Sequence, residues 1–421
     1  MTIRLTSLAA AATIATLATS QAFAADMPSK LVAPVPVPEA CKAAISFPAM
    51  GGVIKQNPNP ACLTLGAFGD IYVGGAVTGY AYSQTNQFSG AFAPPGIPAD
   101  RAGRVDFSNL MGTIQKADGA FQFYAAFGAY TIPGLGLPVY SSFDQTDLLY
   151  SPIPIVFGKY VFNDNWSIQG GRMPTLIGSE APFTFQNLNI SRGLLFNQEN
   201  VINQGVQVNW ADGPWAASFA ATDGFYSGEI NWVTGAITYK IDAANTIGIN
   251  GGTHFTSYTN FDSTTSRGLR FQFATPAALQ NSSIVSANYT YADGPWIVTP
   301  YIQYTNVESN AVLGLAGAET FGGALLASYS FTDNFALAGR FEYISQSGNR
   351  GNPFGQTSLL YGAGSSALSF TVTPTFTFDR YFLRGEFSTV QLYDITPGLG
   401  FGRTGLKTSQ ERYMVETGIT F

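Results

Sequence analysis

From Leu63 onward the chain is written in segments of roughly 8 to 13 residues whose polarity alternates with period two. In LSFTVTPTFTF, residues Leu368, Phe370, Val372, Pro374, Phe376 and Phe378 fall on one side, and Ser369, Thr371, Thr373, Thr375 and Thr377 on the other. Successive side chains of a strand point to opposite faces, so such a run specifies a sheet with one apolar and one polar face. FALAGRFEY sets Phe335, Leu337, Phe341 and Tyr343 against Arg340 and Glu342, and YFLRGEFS sets Tyr381, Leu383 and Phe387 against Arg384, Glu386 and Ser388. A soluble sandwich with its apolar face turned inward alternates in the same way. The number of strands and the nature of their connections have to decide.

About 16 strands are read, starting near Leu63, Ser108, Ala120, Ile153, Trp166, Val201, Trp215, Asn231, Asn245, Ser282, Trp296, Glu319, Phe335, Ser366, Arg380 and Glu411. Their connections fall into two interleaved classes. One is short and carries turn chemistry: KADG at Lys116, NDN at Asn163, ADGP at Ala211, IDAA at Ile241, ADGP at Ala292, TDN at Thr332 and FDR at Phe378. The other is mostly long and rich in Gly, Pro and polar residues, over 83–104, 132–152, 174–200, 257–281, 307–318, 346–365 and 392–410, with the short GFYSG at Gly224 as the exception. Strict alternation of short and long connections predicts an all-β chain: a transmembrane antiparallel up-and-down β-barrel, with tight periplasmic turns and long extracellular loops. An even strand count puts both chain ends on the periplasmic side.

The physical requirement is that hydrocarbon offers no partner to backbone N–H and C=O groups, so a sheet can span it only by closing on itself. A basic residue on the lipid face costs about 2 to 4 kcal/mol at the midplane, so charge is confined to the polar faces. Lys, Arg, Asp and Glu make up only 11% of the 421 residues. Hydrophobic residues, 46% of the chain, are dispersed, and an apolar run of helix-spanning character occurs only at the N-terminus. There MTIRLTSLAAAATIATLATSQAFA has Arg4, an Ala- and Leu-rich stretch and Ala22-Phe23-Ala24, the pattern of a secretory signal peptide over 1–24. Cleavage would leave 19 basic against 26 acidic residues, a formal charge of −7 with His254 neutral. That balance argues against a nucleic-acid partner.

Residues 25–62 read as a Pro-rich periplasmic segment ahead of a barrel over 63–421: DMPSKLVAPVPVPEA is an extended tether, and Cys41 and Cys62 follow it. In an exported chain an oxidised pair is the default expectation for two cysteines. With one His and no other Cys, a zinc site is not expected, nor is any cofactor; no nucleotide loop, metal spacing or catalytic triad is present to suggest an enzyme. His254 reads as a polar wall or rim residue. At the C-terminus YMVETGITF places Tyr413, Val415, Thr417, Ile419 and Phe421 on one face and Met414, Glu416, Gly418 and Thr420 on the other. This resembles the terminal strand signal of outer-membrane barrels, which implies recognition by the barrel-assembly machinery and residence in the outer membrane of a Gram-negative cell, in contact with its lipid and lipopolysaccharide.

The middle of the chain resembles the OmpL-like family of β-barrel porins. GRMPTLIGSEAP, Gly171 to Pro182, and NISRGLLFNQENVINQGVQV, Asn189 to Val208, carry the likeness: a Gly-x-x-x-x-Leu-Ile-Gly-x-Glu run, Ser191-Arg192, and Gly205 opening the next strand. Where the family commonly has His-Thr before that glycine, this chain has Asn203-Gln204. The tether and the two cysteines are also similar to the N-termini of alphaproteobacterial porins. The resemblance implies a general diffusion channel, and likeness to porins at large implies a homotrimer with an inward-folded loop.

On that reading Arg340, Glu342, Arg384 and Glu386 lie on one face of neighbouring strands and form a lumen ladder, or else bridge across strands and merely fill the wall. Lys159 and Glu416 are further pore-lining candidates. The connection after the fifth strand holds Glu180, Arg192 and Glu199, which narrow the pore if that loop folds inward. Trp210 with Trp215, and Tyr291 with Trp296, bracket the two ADGPW turns as a periplasmic aromatic girdle, joined by Phe421. Phe162 with Trp166, Phe331 with Phe335, and Phe378 with Tyr381 repeat the bracket. A substrate-specific channel, and a barrel with an adhesive or structural role, remain open beside the porin.

Overall fold

The computed structural model describes residues 53–55, 57, 60–88, 100–259, 276–352 and 355–421. The signal sequence, the Pro-rich tether and Cys41 lie outside the described residues. Within them a single antiparallel sheet has seventeen strands. A short strand β1 (Ala61–Thr64) folds back on β2 (Asp70–Gln84), followed by β3 (Gly103–Lys116), β4 (Phe121–Tyr130), β5 (Ile155–Val161), β6 (Trp166–Pro174), β7 (Ile202–Asp212), β8 (Trp215–Thr222) and β9 (Trp232–Lys240). The second half continues with β10 (Asn245–His254), β11 (Ser282–Asp293), β12 (Trp296–Val307), β13 (Ala318–Thr332), β14 (Phe335–Gln346), β15 (Ser366–Phe378), β16 (Tyr381–Tyr393) and β17 (Ser409–Thr420). Each strand from β2 onward pairs with the next, and β17 pairs with β2 from Thr420↔Ala76 to Arg412↔Gln84, closing a sixteen-stranded barrel. Among the described residues the helices are two short ones, α1 (Ser142–Leu148) and α2 (Pro276–Gln280), and brief 3-10 turns.

The first strand departs from the expected start at Leu63. A 3-10 turn over Gly66–Phe68, with Gly66 and Gly69 at φ of +53° and +92°, separates β1 from β2, so the long barrel strand begins at Asp70. The start expected at Ser108 falls inside β3, which begins at Gly103 and is offset against β2 by a bulge at Thr78/Gly79.

Period two in the sequence becomes inside and outside in the barrel. On β14, Leu337, Phe341 and Tyr343 are exposed on the outer face, while Ala336, Ala338, Arg340, Glu342 and Ile344 are buried inside. The ADGPW repeat resolves into two-residue hairpins: Asp212 pairs with Trp215 and Asp293 with Trp296, leaving Gly-Pro as the central pair, with Gly213 and Gly294 at φ of +55° and +53°. The primed hairpin turns need positive φ at the first central position, which glycine supplies without strain. Both in-strand prolines sit at local breaks. Pairing of β11 with β12 skips from Asn288↔Tyr301 to Tyr291↔Val298 around Pro300, and pairing of β15 with β16 skips from Val372↔Phe387 to Thr375↔Arg384 around Pro374. A residue without N–H cannot complete the ladder there.

Aromatic rings meet across strands at the short-turn end. Trp166 lies 6.4 Å from Trp210, Trp215 4.5 Å from Tyr239, Trp296 4.6 Å from Tyr329, and Phe335 4.4 Å from Phe376, ring centre to ring centre. At the seam Phe421 exchanges both backbone hydrogen bonds with Gly75, and its ring lies where a Cβ on Gly75 would stand. Close by, the chain ahead of β1 enters the barrel. Ile54, 3% exposed, belongs to the packed cluster containing the inward-facing Ala76, Met111, Tyr124 and Ala126, and the inward Thr420 hydroxyl donates to the Lys55 carbonyl at 3.4 Å.

Candidate constriction site

The connection from β6 to β7, residues 175–201, is buried along nearly its whole length inside the barrel. Two 3-10 turns, Thr184–Gln186 and Phe196–Gln198, give it internal structure. It also pairs with the preceding long loop, between β4 and β5: Arg192 N–H donates to the Pro133 carbonyl at 2.7 Å, and Leu135 N–H to the Arg192 carbonyl at 2.9 Å.

Charged side chains from one side of the wall grip this loop. Arg340 Nη1 stands 2.6 Å from Glu180 Oε1 and donates to the Ser191 carbonyl at 2.7 Å, while its Nε is 3.2 Å from Glu342. Glu342 accepts from Leu194 N–H at 3.0 Å and Ser369 at 2.7 Å; Glu386 accepts from Ser191 N–H at 3.1 Å and Thr373 at 3.0 Å. Arg384 is paired with Glu416, its Nε at 2.8 Å, and donates to the loop carbonyls of Thr184 and Asn187. Glu416 accepts from Ser108 and Thr184 hydroxyls as well. All five wall charges are at most 4% exposed. A charge removed from water is tolerable only with partners such as these.

Arg340, Glu342, Arg384, Glu386 and Glu416 therefore share the lumen face, but β15 separates β14 from β16, so the strands are not neighbours as the sequence suggested and the alternative of direct cross-strand bridging between the two Arg/Glu sets does not apply. They meet through the loop instead. Arg192 is fully buried and donates to four loop carbonyls, those of Ala181, Phe183, Asn189 and Ile190, which makes it the internal brace of the turn. Burial pulls its guanidinium down to about 10, opposed by Glu180 and reinforced by Arg340 and Arg384, so it stays charged at neutral pH. Lys159 faces inward on β5, opposite Gln122 and Gln169 and well away in register from this cluster.

Glu199 behaves differently. It is fully buried, and neither carboxylate oxygen has a hydrogen-bond partner among the described residues. Burial, with Glu180 and Glu342 adding repulsion, holds its carboxyl well above the usual range. One oxygen lies 1.8 Å from where a Cβ on Gly178 would be, so a side chain there would displace the carboxylate, and the φ of +88° favours glycine as well.

Sequence reasoning missed Arg412, fully buried on β17, which donates to Gln84 and to the loop carbonyls of Gly134 and Leu137. Carrying the alternation of YMVETGITF one step toward the N-terminus would have found it, since Arg412, Met414 and Glu416 share a face. His254 sits at the end of β10, its Nδ1 3.3 Å from the Ser282 carbonyl.

The sequence profile of the family described as "Putative beta-barrel porin-2, OmpL-like" matches residues 70–421. No curated protein matches the chain by sequence. Among solved structures, the outer membrane channel DcaP of Acinetobacter baumannii superposes with a TM-score of 0.53 at 11% identity, covering 84% of this chain and 97% of its own. OmpT of Vibrio cholerae in its trimer form gives 0.51 at 9% identity over 83% and 99%, and OmpF of Salmonella typhi in complex with daunomycin gives 0.50 at 10% identity over 84% and 98%. At these identities the likeness is one of fold.

Proposed function

The chain belongs to the OmpL-like family of β-barrel porins, and from that premise we propose how its parts are used. It is a channel of the Gram-negative outer membrane that passes ions and small hydrophilic solutes by passive diffusion. The porin family and fold point to a channel rather than an enzyme.

The observation that carries the mechanism is the buried loop 175–201 clamped to β14, β16 and β17. That loop is the constriction. Arg340, Glu342, Arg384, Glu386 and Glu416 act first as its anchors and only second as a pore lining, because their hydrogen-bonding capacity is spent on the loop. Glu180 and Arg192 fix its shape. The passage is bounded by the loop on one side and by the polar faces of the remaining strands, which include Lys159 on β5, on the other, where size, charge and hydrogen bonding sort solutes. Single-channel recording of purified protein tests this: Arg192→Ala and Glu180→Ala are expected to raise conductance and alter ion selectivity, and unchanged values in both variants would refute the constriction role.

The remaining parts follow the same reading. Residues 1–24 act as the export signal, 25–62 as a periplasmic segment stapled by a Cys41–Cys62 disulfide, and 63–421 as the membrane body. The trimer form of OmpT supports a homotrimer here. The aromatic contacts of Trp210, Trp215 and Trp296 support a girdle at the periplasmic headgroups, which Tyr291 joins from the strand beside Trp296, with lipid and lipopolysaccharide outside it. The terminal Phe421 is the handle for the barrel-assembly machinery.

A further inference from the structure

The loop is held asymmetrically. Toward β14–β17 it is pinned by ion pairs and charge-assisted hydrogen bonds. Toward β10–β13 its described contacts are neutral: Gln303 to the Leu195 carbonyl, Thr320 to Gln198, and Gly178 N–H to Asn250 Oδ1. Buried polar atoms are left over on both sides, Asn189 Oδ1 and Ser388 Oγ among them, but among the described residues only the β10–β13 side includes a carboxylate with neither oxygen bonded. Asn250 Nδ2, Asn288 Oδ1, the Tyr301 hydroxyl and both Glu199 oxygens are buried without a partner among the described residues.

These atoms converge. Gly178 touches the Glu199 carboxylate through its Cα side and binds Asn250 through its N–H, which places the two side chains at one spot. Tyr301 stands on the same inner face as Gln303, which holds the Leu195 carbonyl, while Thr320 holds Gln198 beside Glu199. Asn288 lies directly opposite Tyr301 in the β11–β12 register, at a cross-strand separation of roughly 5 Å. Farther along the same faces Thr305 and Ser328 also have unpartnered hydroxyls, four residues to either side of the Tyr301 level in register. A dry, unpaired polar atom is costly, and an unpaired carboxylate more so, so a polar solute that supplies the partners gains by entering the seam.

The donor pattern says what fills it. Glu199 and Asn288 Oδ1 offer acceptors, one of them acidic, while the Tyr301 hydroxyl and Asn250 Nδ2 offer donors. An ammonium group satisfies the first pair and a hydroxyl the second. A multivalent metal ion fits less well, since no group of three or more His, Cys, Asp or Glu among the described residues is arranged to hold one. We infer that Glu199, Asn250, Asn288 and Tyr301 form a solute-binding seam between the constriction loop and the β10–β13 wall, selective for small amino alcohols such as amino sugars. The inference rests on the channel reading above. Burial and the repulsion of Glu180 and Glu342 favour the protonated carboxyl of Glu199, so an arriving ammonium group supplies the countercharge that lets it ionise.

Liposome swelling with glucosamine, glucose and glucuronate at equal concentration tests the seam, because the three differ in charge at similar size. The expected result is glucosamine entry several-fold faster than glucose, with glucuronate slowest. Glu199→Gln, nearly isosteric, is expected to bring glucosamine down to the rate of glucose, and Tyr301→Phe to weaken retention of glucosamine and glucose alike in single-channel blocking. Equal rates for the three solutes in the wild type, or a glucosamine preference that survives Glu199→Gln, would overturn the seam while leaving the porin intact. A wild-type barrel that admits none of them and carries no current would instead overturn the channel reading beneath it.

Discussion

Single residues in the lumen show two ways of managing a buried charge. Arg384 and Glu416 answer each other and the loop, so removing one leaves the other uncompensated. Glu416→Gln is expected to cost about 3 to 5 kcal/mol, read as a lower temperature for loss of the compact band in detergent gels. Glu199 has no answering group, and the sign of its pH effect follows. Its folded carboxyl titrates above the ordinary value of 4.5, so between 4.5 and the folded value the native state holds the proton more tightly, and stability falls as pH rises through that window. The groups facing it are Glu180 and Glu342, the Tyr301 hydroxyl and the neutral Asn250. Asp100 and Asp223 are raised by burial and drift in the same direction. The measurement is therefore the difference between wild type and Glu199→Gln: the melting temperature is expected to fall less from pH 5 to pH 9 in the variant, and parallel curves would contradict this. Gly178→Ala, which drives a methyl into that carboxylate, should perturb the loop even with every charge intact.

At the scale of strands and loops, the sequence was most legible where hydrocarbon enforces strict rules. Outward residues are apolar because lipid tolerates nothing else, so the alternation predicted starts such as Trp166, Trp215, Asn245, Ser282, Trp296, Phe335 and Ser366 where the strands begin. Inside, the rule relaxes. Ile54, Tyr124 and Phe157 pack in the lumen beside Gln and Asn, and no periodicity announces which polar residue meets the loop and which meets solvent. The loop's own partners lie up to 232 positions away in the chain, as Thr184 does from Glu416, and a local reading cannot reach them. The strand rule itself is testable. Ile249→Lys, on the outer face of β10, is expected to destabilise by about 2 to 4 kcal/mol, whereas Thr238→Lys, inward on β9, should be tolerated. Similar melting of the two variants would mean that the faces have been assigned the wrong way round.

For the molecule as a whole, the described residues bring chain into the lumen from both ends: loop 175–201 with its partner loop around Gly134 from the long-loop side, and the residues just before β1 from the other. Removing residues 25–60 is expected to raise single-channel conductance, and Ile54→Asp to do so without shortening the chain; identical conductance in both would show that the periplasmic mouth is not limiting. The position of Ile54 also bears on how the barrel is made. β2 and β17 meet last in chain order, and the residues ahead of β1 rest against the inner side of that same seam, with Lys55 on Thr420. Closure therefore has to happen around Ile54 and Lys55, like a hoop fastened over its own thread. A reporter domain fused ahead of residue 53 would hang from within the periplasmic opening rather than from the rim, and its size would decide whether the hoop can close.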